Sequence, residues 1–293
     1  MSNLDDKIFN MTYIEGRNLF RSKLKVLFEI SEIDFYYKAI LKYFFEIEPT
    51  ILALDPETIF SHTKVKIIKV VLQRLLNEEP LQYILGTTSF RSLELQVTPV
   101  VLIPRPETEE LVEWVLEDYK SINQKHLVID IGTGSGCIAI SLAKEQSFFN
   151  VTGLDISSKA LEIAKSNAIK NKTTINFIQG DITALSTEIF PVNVIVSNPP
   201  YIHPREKKEM KNNVLNNEPP IALFVPEEDP LLFYRCILEY AQKNLLSDGV
   251  VYFEINPYFL SEMKNLILST TNYSIEERKD IFGKVRMLRL QSH

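Results

Sequence analysis

The sequence predicts an α/β fold, built on a doubly wound and mostly parallel sheet, preceded by a small all-helical region and a β-hairpin. From about residue 127 onward, short β-branched runs alternate with stretches of helical periodicity. This alternation is typical of a parallel sheet covered by helices on both faces. Before Gly86, by contrast, apolar residues recur at helical spacing, which predicts helices that pack on one another.

Residues 1–85 form the predicted helical domain. Its apolar residues fall three and four positions apart, and Glu48-Pro49 and Asp55-Pro56 separate the helical segments, because proline disfavours the helix interior. These residues leave open whether the domain serves stability or the recognition of a protein partner. Residues 86–103 alternate apolar and polar side chains with a period of two, which predicts a β-hairpin linker.

Residues 104–293 form the predicted main domain, which opens with a helix after Pro104. Strands are predicted at 127–131, 151–155, 175–178, 192–197 and 250–255, and helices at 135–146, 157–170, 230–246 and 259–270. Two further apolar runs, 273–277 and 286–290, follow each other without an intervening helix. We therefore expect the last two strands to form an antiparallel hairpin.

Composition restricts the functional classes. The chain has 293 residues, of which 45% are hydrophobic and 24% charged, as in a globular protein. Its formal net charge of -6 disfavours a broad attraction to nucleic-acid phosphates. Two cysteines without metal-ligand spacing predict a reducing, cytoplasmic location and no metal site. Neither a signal peptide nor a membrane-spanning run is evident, so no membrane partner is expected.

A glycine-rich loop follows the first predicted strand of the main domain. Gly132, Gly134 and Gly136 have the spacing Gly-x-Gly-x-Gly, not the Gly-x-Gly-x-x-Gly of dinucleotide binders. Asp155 ends the next strand, where a carboxylate can accept hydrogen bonds from ribose hydroxyls, and Asp181 follows the third, beside the expected adenine. Together these residues predict a nucleoside cofactor with a short linker, above all S-adenosylmethionine.

Asn198-Pro199-Pro200-Tyr201 ends the fourth predicted strand. The two prolines stop the strand and stiffen the turn, so that a carboxamide is presented at the edge where open α/β sheets bind ligands. The side-chain oxygen of Asn198 and the carbonyl of Pro199 could accept hydrogen bonds from a planar NH2 group and align its nitrogen with a methyl donor. Tyr201 could cover that planar group. The motif thus predicts methylation of an amide or exocyclic amine.

The chain resembles the PrmC/HemK family, methyltransferases that modify the glutamine of the Gly-Gly-Gln motif in peptide chain release factors. The resemblance covers roughly residues 80–290. The matching segments are Pro80–Gly86, Ile103–Glu109, Asp130–Gly136, Asp155, Ser197–Ile202, Glu218-Pro219, Ala222-Leu223 and Lys279–Leu290. Of these, Pro104-Arg105-Pro106-Glu107-Thr108-Glu109 is the most specific to the family.

The resemblance implies a class I (Rossmann-like, seven-stranded) methyltransferase domain that converts S-adenosylmethionine to S-adenosylhomocysteine, with residues 1–85 recognising a release factor. The implied cofactor-binding residues are Gly132, Thr133, Gly134, Ser135, Gly136, Asp155, Asp181, Ile182 and Asn198. The implied substrate-binding residues are Asn198, Pro199, Pro200, Tyr201, Arg105 and Glu107, of which Asn198, Pro199 and Tyr201 are the implied catalytic ones. Ile182 stands where an aromatic is frequent, so the adenine contact there would be aliphatic. Asn256 stands where a glycine is usual, which argues against a tight turn after the fifth strand.

The main alternative function is methylation of adenine N6 or cytosine N4 in nucleic acid, which uses the same amine geometry after base flipping. The net charge of -6 and the lack of a basic tract with interleaved aromatics disfavour it, so no nucleic-acid substrate is expected. A non-catalytic binding module is disfavoured because the glycine loop, Asp155 and Asn198 are all present. Nicotinamide-dependent oxidation is disfavoured by the glycine spacing.

Overall fold

The computed structural model describes residues 11–184 and 190–291. They fall into two compact units, one comprising residues 11–86 together with Asn212–Asn217, the other comprising residues 87–184, 190–211 and 218–291. In chain order the elements are α1 (Tyr13–Leu24), α2 (Ile30–Phe45), α3 (Ile51–Leu54), α4 (His62–Leu76), α5 (Leu81–Leu85), β1 (Thr87–Phe90), β2 (Leu93–Gln96), α6 (Pro106–Asp118), β3 (His126–Ile131), α7 (Cys137–Glu145), β4 (Phe149–Asp155), α8 (Ser158–Lys170), β5 (Asn176–Gln179), β6 (Val192–Ser197), α9 (Asn212–Asn217), α10 (Pro220–Leu223), α11 (Leu232–Asn244), β7 (Leu245–Glu254), α12 (Leu260–Thr270), β8 (Ser274–Lys279) and β9 (Val285–Gln291). Residues 1–10, whose composition predicts no signal peptide, lie outside the described residues.

The helical unit is built from α1 to α5 around one apolar cluster. Phe20, Tyr37 and Ile68 are fully buried in it, and the Tyr37 hydroxyl donates to the carbonyl of Tyr13. The short α9 groups with this unit, because the Asn217 side chain donates to the carbonyl of Glu78 at 3.2 Å. Sequence pattern alone assigned that segment to the main domain, since a six-residue helix shows too little periodicity to reveal its packing.

The second unit contains the predicted sheet, and the predicted fold class is confirmed. Its strands lie in the order β5-β4-β3-β6-β7-β9-β8. The first five are parallel, whereas β9 is antiparallel to β7 and to β8, as expected for the last pair. The predicted hairpin of β1 and β2 is also antiparallel. The chain order reverses between β3 and β6, and ligands of open α/β sheets bind beyond the strand ends at such a point.

Two apolar clusters cover the two faces of this sheet. In β6, Val194 and Val196 belong to one cluster and Ile195 to the other, because successive side chains of a strand point to opposite faces. Trp114 of α6 packs on the first face and Tyr234 of α11 on the second. Within residues 11–184 and 190–291, no helix is long and apolar enough to cross a membrane.

The starts of helix α7 and strand β7 differ from the sequence prediction. Helix α7 begins at Cys137 rather than at residue 135, since Gly136 before it has φ +82°, in the left-handed region. Strand β7 begins at Leu245 rather than at residue 250, and its pairing with β6 shifts register between Leu245 and Val250. Residue 250, the predicted start of the strand, is therefore where regular pairing with β6 begins. The alternation of apolar and polar residues does not reveal the irregular pairing before it.

Candidate functional site

A cavity of about 320 Å³ lies at the carboxyl ends of the parallel strands. This volume is within the range of small-molecule sites, about 300–1,000 Å³. Of the residues singled out by sequence, those lining it are Gly132, Gly134, Asp155, Asp181, Ile182, Asn198, Pro199 and Pro200. The structure thus brings together residues from the ends of four strands.

Two glycines of the loop leave the cavity open. Gly132 and Gly134 have φ +77° and +53°, a conformation that side chains other than glycine rarely adopt. A Cβ added at Gly132 would meet no protein atom within 4 Å, so the space beside it is available to a ligand. Gly136 serves packing instead, because a Cβ there would lie 3.2 Å from the Ala164 side chain. The loop residues Thr133 and Ser135 are buried and do not line the cavity.

Asp155 stands at the end of β4 and joins the loop to the cavity. Its Oδ2 accepts from the backbone N–H of Gly134 at 2.8 Å, and its Oδ1 accepts from that of Ser157 at 2.9 Å. The N-cap of α8 is Ser157, not Asp155, so helix capping does not explain the carboxylate. Burial raises the pKa of Asp155, and the N–H donors act against that shift. Each oxygen keeps a second lone pair for a ligand hydroxyl.

Asp130, near the end of β3, stabilises the glycine loop through hydrogen bonds to its side chain. Its Oδ2 accepts from the Thr133 hydroxyl at 2.6 Å and from the N–H of Ala139 at 3.2 Å. The side chain is fully buried, and burial raises the pKa of Asp130 to about 7. Sequence reasoning assigned Asp130 no role beyond its place at the start of the motif. In the structure, its carboxylate fixes the conformation of the glycine loop.

Asp181 and Ile182 follow β5 on the same edge. The Oδ1 of Asp181 accepts from both the N–H and the hydroxyl of Thr183, at 2.8 and 2.7 Å, which fixes the start of a short 3-10 turn at Ile182. Both residues line the cavity. The contact that Ile182 offers a planar ring is therefore aliphatic, as the sequence indicates.

Asn198 lines the cavity, and its side chain is fixed by a hydrogen bond to Thr108, which does not line the cavity. Its Nδ2 donates to the Thr108 hydroxyl at 3.0 Å, and that hydroxyl donates to Glu254 Oε2 at 2.7 Å. Thr108 and Glu254 are buried, and burial raises the pKa of Glu254. Sequence reasoning missed both residues as parts of the site. The only signal was that Thr108 belongs to the Pro-Arg-Pro-Glu-Thr-Glu segment.

Three residues with predicted substrate contacts do not line the cavity. Tyr201 donates its hydroxyl to Glu254 Oε1 at 3.0 Å, and Arg105 pairs with the buried Glu218 at 2.6 Å. Glu107 lies in the first turn of α6. Tyr201 and Arg105 are thus engaged with the protein, and the substrate roles of all three stay predictions.

Asn256 stands where the family pattern has a glycine, and it adopts φ -77° without left-handed geometry. Its Nδ2 donates to the carbonyl of Tyr201 at 3.0 Å and to Glu206 Oε1 at 2.9 Å. The side chain therefore ties the end of the Asn-Pro-Pro-Tyr turn to the segment after β7, a link that glycine could not make.

The remaining wall of the cavity is apolar and was not predicted. It comprises Val100, Leu102, Ile221, Ala222, Leu232, Phe233 and Ile237, among others. These residues come from a loop and from two helices distant in sequence, and nothing in their local pattern distinguishes them from ordinary core residues. Over the described ranges, no cluster of three or more His, Cys, Asp or Glu side chains could hold a metal ion.

Comparisons with known proteins show what this chain is similar to. Two family models match, the PrmC N-terminal domain over residues 20–86 and the methyltransferase small domain over residues 108–220. A crystal structure of a methyltransferase from Pyrococcus furiosus is similar with a TM-score of 0.50 at 19% identity, over 76% of this chain and 98% of that one. This likeness shows the fold.

Two curated relatives are similar over most of the sequence. The release factor glutamine methyltransferase of Flavobacterium psychrophilum is 42% identical over 94% of this chain and 97% of its own length. That of Bacteroides thetaiotaomicron is 42% identical over 80% of this chain and 84% of its own length. The chain therefore belongs to the family of release factor glutamine methyltransferases.

Proposed function

We propose that this protein transfers a methyl group from S-adenosylmethionine to the side-chain amide nitrogen of the glutamine in the Gly-Gly-Gln motif of a peptide chain release factor. The observation that carries the proposal is the Asn198 carboxamide on the wall of a cavity that Gly132, Gly134 and Asp155 also line. The names of the relatives support the substrate class.

The residues that line the cavity suit the proposed cofactor in their chemistry. Gly132 leaves space where a side chain would stand, and Asp155 offers carboxylate lone pairs to a ribose diol. The apolar wall with Ile182 suits an adenine ring. When bound, S-adenosylmethionine supplies a methyl group activated by its sulfonium charge.

Asn198 and Pro199 would supply the acceptors for the substrate. Their carbonyl oxygens would take hydrogen bonds from the two N–H groups of the glutamine amide and align its nitrogen with the methyl carbon. Transfer of the methyl group would form an N–C bond and break the C–S bond, whose electron pair would neutralise the sulfonium. The nitrogen becomes positive, so the two oxygens stabilise the transition state more than the ground state. The excess proton then leaves to water.

The helical unit would recognise the release factor. It exposes large apolar side chains, among them Phe35, 63% exposed on α2, and Leu54, 80% exposed at the end of α3. Such side chains gain free energy when a partner covers them. A Phe35→Ser variant is expected to raise the KM for the release factor several-fold without changing the affinity for S-adenosylmethionine.

The experiment that tests the proposal offers methyl-labelled S-adenosylmethionine to the protein with release factor, DNA and ribosomal RNA in parallel. We expect label on the release factor, and mass spectrometry should place it on the Gly-Gly-Gln glutamine. Label on nucleic acid alone would refute the proposal in favour of base methylation.

Asn198→Ala tests the site itself. The variant is expected to lose at least about 100-fold in kcat, by analogy with the loss of one transition-state hydrogen bond. Asn193→Ala is the matched control, because Asn193 lies on the same strand but accepts a hydrogen bond from the N–H of Leu127. Equal activity of the two variants would exclude Asn198 from catalysis.

A further inference from the structure

The Asn198 carboxamide has two ends of similar shape, and only one of them suits the proposed reaction. Its oxygen can accept a hydrogen bond from a substrate NH2 group, whereas its own NH2 group would meet that substrate donor to donor. Rotation of the side-chain amide by a half-turn would therefore replace an attractive contact with a repulsive one. Something in the protein must select the orientation.

The direction of the hydrogen bonds behind Asn198 makes that selection. The hydrogen bonds from Thr108 and Tyr201 and the charge of Arg286 act against the burial that raises the pKa of Glu254, and so favour its ionised form. The ionised carboxylate has acceptors only, and its two oxygens receive the hydroxyl protons of Thr108 and Tyr201. Thr108 has a single hydroxyl proton, which is thus committed to Glu254. Its oxygen can then only accept, so the end of Asn198 that faces it at 3.0 Å must be the NH2 group.

We propose that Thr108 and Glu254 are positioning residues that fix the Asn198 carboxamide with its oxygen available to the substrate. This inference rests on the proposed function. Thr108 and Glu254 are only 2% and 1% exposed, so water has little access to substitute for either partner. Both lie on regular elements, Thr108 in the first turn of α6 and Glu254 at the end of β7. These elements keep the hydrogen-bonded chain from Glu254 through Thr108 to Asn198, here called the relay, rigid.

Thr108→Val tests the relay, because valine keeps the shape of threonine and removes its hydroxyl. We expect kcat to fall about 10- to 100-fold, as for a misplaced catalytic group. The affinity for S-adenosylmethionine, measured by calorimetry, and the KM for the acceptor should each change less than about threefold. Thr108→Ser restores the hydroxyl and should recover most of kcat.

Glu254→Gln is the second variant. A neutral glutamine has one acceptor end and one donor end, so it cannot take both hydroxyl protons. The Thr108 hydroxyl is then free to turn toward Asn198, and kcat should fall as in Thr108→Val.

Tyr234→Phe is the matched control. It removes a buried hydroxyl that donates to the main-chain carbonyl of Glu254 at 3.0 Å and leaves the carboxylate untouched. A merely structural role of Thr108 would lower the melting temperature of both Thr108→Val and Tyr234→Phe with no difference in kcat between them. That result would overturn the inference, as would failure of Thr108→Ser to restore the rate.

The rates of the variants are compared with the wild type on whichever acceptor the wild type methylates. A wild type that methylates only nucleic acid would therefore refute the proposed function and still test the relay. A wild type active on release factor together with a fully active Thr108→Val would refute the relay alone.

Discussion

Replacement of Arg105 by methionine is expected to destabilise the sheet-containing unit, since Arg105 neutralises a buried carboxylate. Its Nη2 lies 2.6 Å from Glu218 Oε1, and the side chains are 30% and 1% exposed, respectively. The other oxygen of Glu218 accepts a long hydrogen bond, 3.3 Å, from the N–H of Ile103. Removal of one partner of a fully buried pair costs about 3–5 kcal/mol. Because Arg105 is partly exposed, we reduce this expectation to about 2–3 kcal/mol.

Urea unfolding followed by tryptophan fluorescence measures this loss in the relevant unit. The chain has one tryptophan, and Trp114 is buried in the apolar core of that unit. The double variant Arg105→Met/Glu218→Gln removes both charges and should regain at least half of the lost free energy. Arg235→Met is the control, since its pair with Asp229 is 39% and 32% exposed and should contribute less than about 1 kcal/mol.

The reasoning is refuted if Arg105→Met unfolds at the same urea concentration as the wild type. A large loss of acceptor affinity at unchanged stability would instead return Arg105 to the predicted role in substrate binding. The same measurements therefore separate the structural function of Arg105 from the substrate contact predicted from sequence.

Three further predictions concern the cofactor edge. Asp155→Ala should weaken S-adenosylmethionine binding by about 10- to 100-fold, the effect of losing hydrogen bonds to a charged group; unchanged calorimetric affinity would contradict its role. Gly132→Ala places a side chain in the cavity at φ +77° and should weaken binding, whereas Gly283→Ala, at φ +82° with equally open surroundings, should cost only about 1–2 kcal/mol of stability. Burial raises the pKa of Asp130 to about 7, so the folded protein keeps a proton that the unfolded chain releases above its ordinary pKa, about 3.9. As the pH rises from about 4 to about 7, Asp130 therefore lowers the free energy of unfolding by about 4 kcal/mol in total. In the Asp130→Asn variant, the free energy of unfolding should depend less on pH over this range. An unchanged slope would show that Asp130 does not titrate there.

Local chemistry is what made the sheet edge predictable. Glycines at positive φ and consecutive prolines constrain the backbone wherever they occur, so Gly132, Gly134 and Asn198 could be placed at strand ends from sequence. Alternation of strand and helix patterns likewise fixed the fold class, and the structure brings these residues to one cavity. The start of β7 was missed, because an irregular pairing leaves no periodic signal.

The sequence by itself determined the type of fold, the glycine loop and the carboxamide at the strand end, since each depends on neighbouring residues. Only the tertiary structure decided what holds that carboxamide. Thr108 and Glu254 are 146 positions apart, and Arg105 is 113 positions from Glu218. Such pairs form because buried polar groups must find partners, and which partner is available depends on how the chain folds back on itself rather than on any local pattern.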